Sequence, residues 1–311
     1  MVSGAMKRLD RQLRAVADKD VAVCLIGESG AGKEVIARRI HELSPRRGDV
    51  FIPINCAAIP ETLFESELFG HERGAFTGAS ELARGKIEAA AGGSLFLDEI
   101  GELSLAAQAK LLRFLEHRRY MRVGGTRKIE ADVRAIFATL RPLDDEVRRG
   151  VFRPDLFYRI HGITLSIPPL RERQADIGLL VEQFISEFSS KHAVEPPRFA
   201  RATRAALRAY AWPGNVRELR NVVEHLCLFR CGKVARPDHL PDPIRSTLER
   251  RVGSSPATAR TLEVPVDRPL AATVDDIIDA AVALQDGNRS RAAQKLGIGL
   301  RTVQRRLRAK R

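Results

Sequence analysis

Val21-Ala22-Val23-Cys24-Leu25-Ile26-Gly27-Glu28-Ser29-Gly30-Ala31-Gly32-Lys33 decides how this chain folds. Residues 21–26 are a continuous apolar run, the pattern of a strand buried on both faces of a sheet. Three glycines and a lysine follow, and then Val35, Ile36, Ile40 and Leu43 recur at helical spacing. Strand, glycine loop and helix in that order make a phosphate-binding loop rather than a glycine-rich turn. Backbone N–H groups of such a loop and of the helix start face phosphate oxygens, and Lys33 neutralises charge at the β and γ positions. Position 34 is Glu, where these loops commonly place a Ser or Thr hydroxyl on Mg²⁺. A metal ion must then be held mainly by another group, with waters and the phosphates.

Ser94-Leu95-Phe96-Leu97-Asp98-Glu99 supplies that group. An apolar strand ends in two adjacent carboxylates, and strand alternation predicts that they point to different sides. Asp98 suits Mg²⁺, directly or through water, and Glu99 suits polarising the water that attacks a γ-phosphate. Ser104 reads as the cap of a helix through Leu105, Leu111, Leu112 and Leu115. Residues 118–134 are basic and broken by Gly124-Gly125, which predicts a hairpin-like loop, and 133–138 is another buried strand. Strands alternating with helices imply a mainly parallel sheet covered on both faces. Before the first strand, Met6, Leu9, Leu13 and Val16 share one side of a short basic helix.

Between the two motifs lies Gly74-Ala75-Phe76-Thr77-Gly78-Ala79, a poor helix and a poor strand because glycine resists both. It reads as a mobile loop with one aromatic at its tip; the plainer alternative is a tight turn whose Phe76 folds into the core. After the sheet come Arg153 and Arg159, then Pro168-Pro169, and from Arg171 to about residue 243 a helical pattern. There Ile177, Leu180, Val181, Phe184 and Ile185 make one stripe, and Trp212-Pro213-Gly214-Asn215 interrupts it. Residues 244–272 lose periodicity and read as a linker.

Composition agrees with a globular chain of two or three domains: 44% hydrophobic, 29% charged over 311 residues. A net charge of +13 and a pI near 10.2 call for an anionic partner. From Asn288 onward there are basic residues and no acid. The four cysteines form no paired zinc-binding spacing and read as reduced structural thiols. No signal peptide precedes the first domain and no apolar run approaches spanning length, so a cytoplasmic protein without membrane partner is expected.

Taken in order, the glycine loop with Glu34, the 74–79 loop, Leu97-Asp98-Glu99, residues 152–159 and Trp212-Pro213-Gly214-Asn215-Val216-Arg217-Glu218-Leu219 resemble the AAA+ central domain of bacterial enhancer-binding proteins, the activators of sigma-54 RNA polymerase. The tail resembles that family's Fis-like DNA-binding domain. The resemblance implies an α/β AAA+ P-loop ATPase with a parallel sheet core over residues 1–170 and a helical lid over 171–243. A linker over 244–272 and an all-α helix-turn-helix domain over 273–311 would follow. Gly27, Glu28, Ser29, Gly30, Ala31, Gly32, Lys33 and Glu34 would bind ATP, with Asp98 on Mg²⁺ and Glu99 activating water. Asn55 would be the switch residue that holds Glu99 away from water, and Arg153 and Arg159 the fingers that act in trans in a ring, a hexamer by family analogy. Arg217 would sense the γ-phosphate. Gly74, Ala75, Phe76, Thr77, Gly78 and Ala79 would touch sigma-54, Phe76 and Thr77 foremost, and residues 118–134 would cover a second pore-facing loop that moves with the first. Position 140 departs from the family, which usually has a polar residue, often Asn, after Ala138-Thr139; Leu140 leaves sensing to Thr139 or loses it, so weaker coupling between hydrolysis and loop movement is expected. The chain also starts almost directly at the ATPase, so a removed regulatory domain or a separate regulatory protein is expected.

In the tail, 275–284 and 290–296 predict two helices, Gly297 the turn, and Leu300, Val303 and Leu307 the inward stripe of a third. Arg301, Thr302 and Arg305 face away from that stripe toward base edges of double-stranded DNA, while Arg289, Arg291, Arg306 and Arg308 meet phosphates. The first function expected is an ATPase-driven activator on enhancer DNA. A rival of the same fold uses nucleotide only to control oligomerisation, and an AAA+ replication initiator or loader fits everything but the 74–79 loop.

Overall fold

The computed structural model describes residues 3–246, 270–285 and 288–309. They fall in two compact units, divided near residue 250, and each is described by itself.

The larger unit is built on five parallel strands: β1 (Val23–Ile26), β2 (Phe51–Asn55), β5 (Ser94–Asp98), β8 (Arg134–Thr139) and β9 (Ile163–Ser166). Their spatial order is β2-β5-β8-β1-β9, so β1 with its loop lies inside the sheet beside β8. Strands 95–97 and 136–138 are wholly buried, as continuous apolar runs require of a sheet covered on both faces. Helices α1 (Gly4–Ala17) and α2 (Lys33–Glu42) pack on one face around Leu9, Leu13, Ile40 and Phe96. On the other lie α3 (Glu61–Phe69), the short α4 (Lys86–Ala89), α5 (Leu105–His117), α6 (Leu143–Arg148) and α7 (Pro154–Ile160). Leu68, Leu97, Leu111, Phe137 and Leu156 make the core there. Ser104 caps α5 by accepting from the Ala107 N–H.

One buried charge escapes any hydrophobic reading. Arg134, 2% exposed, opens β8 and donates to the carbonyls of Val16 (2.8 Å) and Ala17 at the end of α1. It thus brings a charged donor to the last carbonyls of the helix, where intrahelical partners run out, although Val16 also accepts from the Lys19 N–H at 3.2 Å.

Beyond β9 the chain becomes helical: α8 (Gln174–Lys191), α9 (Arg201–Ala209) and α10 (Asn215–Phe229), with strands β10 (Arg198–Phe199) and β11 (Val234–Ala235) as a small clasp. Ile177, Val181, Phe184 and Ile185 of the expected stripe are buried, and Leu180 packs at its margin. Trp212 lies at the centre, fully buried, its indole N–H on the Leu207 carbonyl at 2.7 Å. Ile244 is 1% exposed in the same core, so the expected linker starts no earlier than residue 245, and 247–269 of it lie outside the described residues.

Among its described residues the smaller unit has three helices, α11 (Leu270–Ala283), α12 (Arg289–Leu296) and α13 (Leu300–Ala309). The first begins earlier than 275. Ile278, Ala293 and Val303 are buried at their meeting point, with Val282, Leu296 and Leu307 packed around them. Leu300 is 38% exposed and is no part of the inward stripe, which is carried by Val303 and Leu307 with Ile298 from the turn.

Candidate nucleotide-binding site and adjoining surfaces

The loop between β1 and α2 leaves the first N–H groups of α2 without a side-chain cap, behind Gly32 in a left-handed conformation (φ 100°). A Cβ built on Gly32 would meet nothing within 4 Å, so open space lies over these donors. Uncapped helix N–H groups facing a void suit a polyphosphate. Lys33, 6% exposed, extends to the Gly27 carbonyl (3.3 Å) and to Glu99 Oε1 (3.0 Å), with Asp98 at 4.0 Å. Glu34 turns away to solvent and pairs with Arg38 at 3.5 Å.

Strand alternation fails at the carboxylate pair. Asp98 is the last residue of β5, but Glu99 adopts a left-handed backbone (φ 54°, ψ 51°). This left-handed turn, costly for a residue other than glycine, brings the Glu99 side chain back across the strand ends. Its Oε2 accepts from the Leu140 N–H at 3.3 Å, and Asp98 Oδ1 accepts from the Glu99 N–H at 3.0 Å. Burial pushes the Asp98 carboxyl up from its ordinary value, against the pull of Lys33, with Glu99 adding to the rise. A divalent cation fits such a carboxylate, because it removes the penalty of burying the charge. Among the described residues no three His, Cys, Asp or Glu side chains are grouped to hold a metal ion, so Mg²⁺ would take Asp98 plus phosphate and water oxygens.

Asn55 does something other than hold Glu99. Its Oδ1 accepts from the Ala57 N–H (3.0 Å) and caps a short turn. The Glu99 carboxylate is held by Lys33 and the Leu140 amide instead. Thr139 is buried and its hydroxyl bonds the Arg141 N–H (3.1 Å) and C=O (3.2 Å), so it shapes the turn. The Leu140 side chain is 43% exposed, and what this position presents to the site is its backbone N–H.

The interruption at Trp212-Pro213-Gly214-Asn215 is the piece that brings the helical region onto the phosphate loop. Asn215, fully buried with φ 52°, accepts from the Leu170 N–H (2.8 Å) and donates to Ser29 O and Glu28 Oε2, both at 3.0 Å. Arg171 grips Glu28 through both oxygens at 2.6 and 2.8 Å and holds its carboxyl at about 2. Val216 N–H reaches the Gly30 carbonyl (3.0 Å), and Arg217 Nη1 reaches Ser29 Oγ at 2.9 Å. A Cβ on Gly30 would stand 2.4 Å from the Gly214 carbonyl, so that glycine serves this junction as well as a ligand. Neither Asn215 nor Arg171 was among the expected site residues; the Asn after Pro-Gly, a residue type that tolerates left-handed backbone, was the available signal.

Arg153 and Arg159 are not brought to the glycine loop. Arg153 forms a two-pronged pair with Asp155 (2.6 and 3.0 Å), and Arg159 donates to the Leu115 carbonyl at 2.9 Å.

The 74–79 segment closes on itself. Gly74 N–H meets the Ala79 carbonyl (2.8 Å) and Ala79 N–H the Phe76 carbonyl (3.0 Å), above the paired strands β3 (Gly70–His71) and β4 (Ala83–Arg84). Ala79 is buried, Thr77 is exposed, and Phe76 is 40% exposed with its ring edge-on to His71 at 4.9 Å, neither in the core nor free of contact. The hairpin of β6 (Arg119–Tyr120) and β7 (Ile129–Glu130) lies against its base: Val123 exchanges backbone bonds with Gly70 and Glu72. Arg122, nearly buried, bridges Glu72 (2.9 Å) and Glu88 (2.8 Å), and Gly124 packs on Ala75 so closely that a Cβ would come within 2.8 Å.

In the smaller unit Arg289, Arg291, Arg301 and Arg305 are exposed and Thr302 is half-buried. Arg306 is drawn into a pair with Asp275 at 3.2 Å, tying α13 to α11. The Arg308 side chain lies outside the described residues. Asn288 caps α12 through the Arg291 N–H.

Comparison with known proteins joins these parts. Residues 1–166 match the sigma-54 interaction domain, 171–256 an AAA+ ATPase lid domain, and 275–309 the Fis family of bacterial regulatory proteins. Over 97% of its length the chain is 43% identical to regulatory protein AtoC of Escherichia coli, of which it spans 65%. It is 45% identical over 90% of its length to nitrogen fixation protein VnfA of Azotobacter vinelandii, of which it spans 52%. The crystal structure of NtrX from Brucella abortus in complex with ATP superposes with a TM-score of 0.72 at 32% identity, covering 99% of this chain and 68% of that one. Among the described residues no helix is long and apolar enough to cross a membrane.

Proposed function

The chain belongs to the sigma-54-dependent regulators, with an AAA+ domain, its lid and a Fis-type helix-turn-helix, and we propose that it is an ATP-hydrolysing activator that binds enhancer DNA and remodels the closed complex of sigma-54 RNA polymerase. The observation that carries this reading is the Glu99 carboxylate held between Lys33 and the Leu140 amide at the mouth of an uncapped phosphate loop.

Lys33 spends donors on the Gly27 carbonyl and Glu99 Oε1, and phosphate oxygens compete for them. With ATP in the loop the lysine turns to the phosphates, and Glu99 Oε1 becomes free to accept a proton from the attacking water. Leu140 N–H keeps Oε2 in place, so the base stays aimed. Asp98 would hold Mg²⁺, which neutralises charge on the phosphates. Arg217 already contacts Ser29, and a short swing brings its guanidinium to the γ-phosphate. Arg153 and Arg159 then act on the site of a neighbouring copy in a ring, a hexamer by family analogy, with Asp155 releasing Arg153 as the neighbour's phosphates arrive. Phe76 and Thr77 stand at the sigma-54 contact, and movement of the 74–79 loop is shared with the second hairpin through Arg122. A domain boundary near residue 170, a linker that starts no earlier than residue 245 and ends by residue 270, a separate regulatory protein and a cytoplasmic location complete the proposal. On DNA, Arg301, Thr302 and Arg305 read bases while Arg289, Arg291 and Arg308 meet phosphates; Arg306 joins them only by leaving Asp275.

The test mixes the full chain, sigma-54 and ADP with aluminium fluoride as transition-state analogue, followed by gel filtration. A complex that forms and is lost in Thr77→Ala supports the activator. No complex, with ATP-dependent binding of DNA intact, favours the regulator that uses nucleotide only to assemble.

A further inference from the structure

The contact that keeps Glu99 aimed depends on two short turns keeping their distance. One is the turn Ile100–Glu102, whose Glu102 N–H returns to the Glu99 carbonyl at 3.0 Å. The other is the turn after β8, which presents the Leu140 N–H to Glu99 Oε2. Each is closed locally, the second by the Thr139 hydroxyl on both backbone groups of Arg141. Neither closure fixes one turn against the other.

Arg141 does. Its Nη2 stands 2.7 Å from Glu102 Oε1 on the first turn, and its Nη1 stands 3.9 Å from Glu146 Oε1 on α6. Glu146 is 2% exposed and also binds Arg149, while its carbonyl accepts from the N–H groups of Val151 (3.1 Å) and Phe152 (3.2 Å). It is therefore a rigid anchor. Between Gly101, Glu102 and Ser104 on one side and Arg141, Glu146 and Arg149 on the other lies a cavity of about 400 Å³. Beneath the cleft Ile100 and Leu143 share one apolar core and Gly101 packs beside Leu143 and Thr139, while at its rim the guanidinium supplies the charged link between the two turns.

From this geometry we propose that Arg141 is a positioning residue for ATP hydrolysis: through Glu102 and Glu146 it holds the Leu140 amide at the distance that orients the Glu99 carboxylate. The proposal rests on the reading of Glu99 as the group that activates water. It also accounts for an apolar side chain at position 140. The work at that position is done by a backbone N–H, which leucine supplies as well as asparagine does, and the geometry of that N–H is set one residue later. An unanchored carboxylate samples orientations that do not face the water, and misplacement on the scale of an ångström costs up to about 100-fold in rate. Nucleotide affinity, set by the glycine loop and Lys33, should hardly change.

The experiment measures steady-state ATP turnover and binding of a fluorescent ATP analogue for the full chain carrying Arg141→Ala, Arg141→Lys, Glu102→Gln and Glu99→Gln. The expected result is turnover down about 10- to 100-fold in Arg141→Ala with analogue affinity within about twofold of the parent. Arg141→Lys, which keeps one charged bond to Glu102, recovers most of the loss. Glu102→Gln keeps the side-chain volume and falls between, and it carries the test if Arg141→Ala does not fold. Adding Arg141→Ala to Glu99→Gln lowers turnover no further. Parental turnover in both Arg141→Ala and Glu102→Gln, or loss of affinity in step with turnover, overturns the positioning role while leaving Glu99 as the base. Parental turnover in Glu99→Gln overturns the role of Glu99 itself, and this inference with it.

Discussion

Replacing Asn215 by alanine tests whether the lid is held to the phosphate loop by one buried amide. The substitution removes three hydrogen bonds. Leu170 N–H and the Ser29 carbonyl each lose a partner, at about 1 kcal/mol apiece. Glu28 is half-exposed and keeps Arg171, so its lost bond counts for less than about 1 kcal/mol. Alanine must also adopt the left-handed backbone that Asn215 holds at φ 52°, at about 1 kcal/mol. The expected loss is therefore about 3–4 kcal/mol for Asn215→Ala. Asn215→Gly loses the same bonds without the backbone cost and should be about 1 kcal/mol better. Urea unfolding followed by tryptophan fluorescence reads this locally, because Trp212 is the only tryptophan and is fully buried three residues away. ATP affinity should fall in both variants as Arg217 loses its approach to Ser29. A loss below about 1 kcal/mol, or glycine no better than alanine, would refute the reasoning.

Three further outcomes follow from the same contacts. The Glu28 carboxyl is depressed from 4.5 to about 2 by Arg171 and Asn215, so its stabilisation is complete above pH 4.5 and is lost as pH falls toward 2. Thermal melts across that window should show a drop that Glu28→Gln flattens. Arg122→Ala leaves Glu72 without its cation and Glu88 with Arg84 alone, and should cost about 1–2 kcal/mol; tryptic cleavage after the exposed Arg73 should accelerate, and an unchanged rate would show that the bridge does not restrain the loop. Among the cysteines only Cys231 is exposed, while burial pushes the Cys24 and Cys56 thiols up to about 12. A thiol reagent should therefore titrate one group in the native protein and four in urea.

Much of the site is legible in linear sequence because its parts are local. A glycine loop between an apolar run and a helix needs neighbours only a few residues away, and so does a carboxylate pair closing a strand. Asn55 shows a local contact where the family resemblance implies a distant one. Its amide is spent on a turn two residues on, a contact as local as any motif, whereas its supposed partner Glu99 is held from residues 33 and 140. Leu140 is the opposite case. A side-chain reading finds a lost hydrogen-bonding group at that position, whereas the backbone N–H that meets Glu99 there is one that every residue except proline supplies.

The sequence alone determined the fold class and the strand, glycine loop and helix at its centre, because hydrophobic period and glycine placement act over short spans; the strands Phe51–Asn55 and Ile163–Ser166 at the sheet edges carry no such signal. Only the tertiary structure decided that Glu99 leaves the strand in a left-handed turn, that Arg134 serves a helix end more than a hundred residues away, and that Asn215 and Arg171 clamp the glycine loop. Those contacts join residues distant in the chain, and no periodicity records them. They arise because buried polar groups take whichever partner the packing of the core brings within reach.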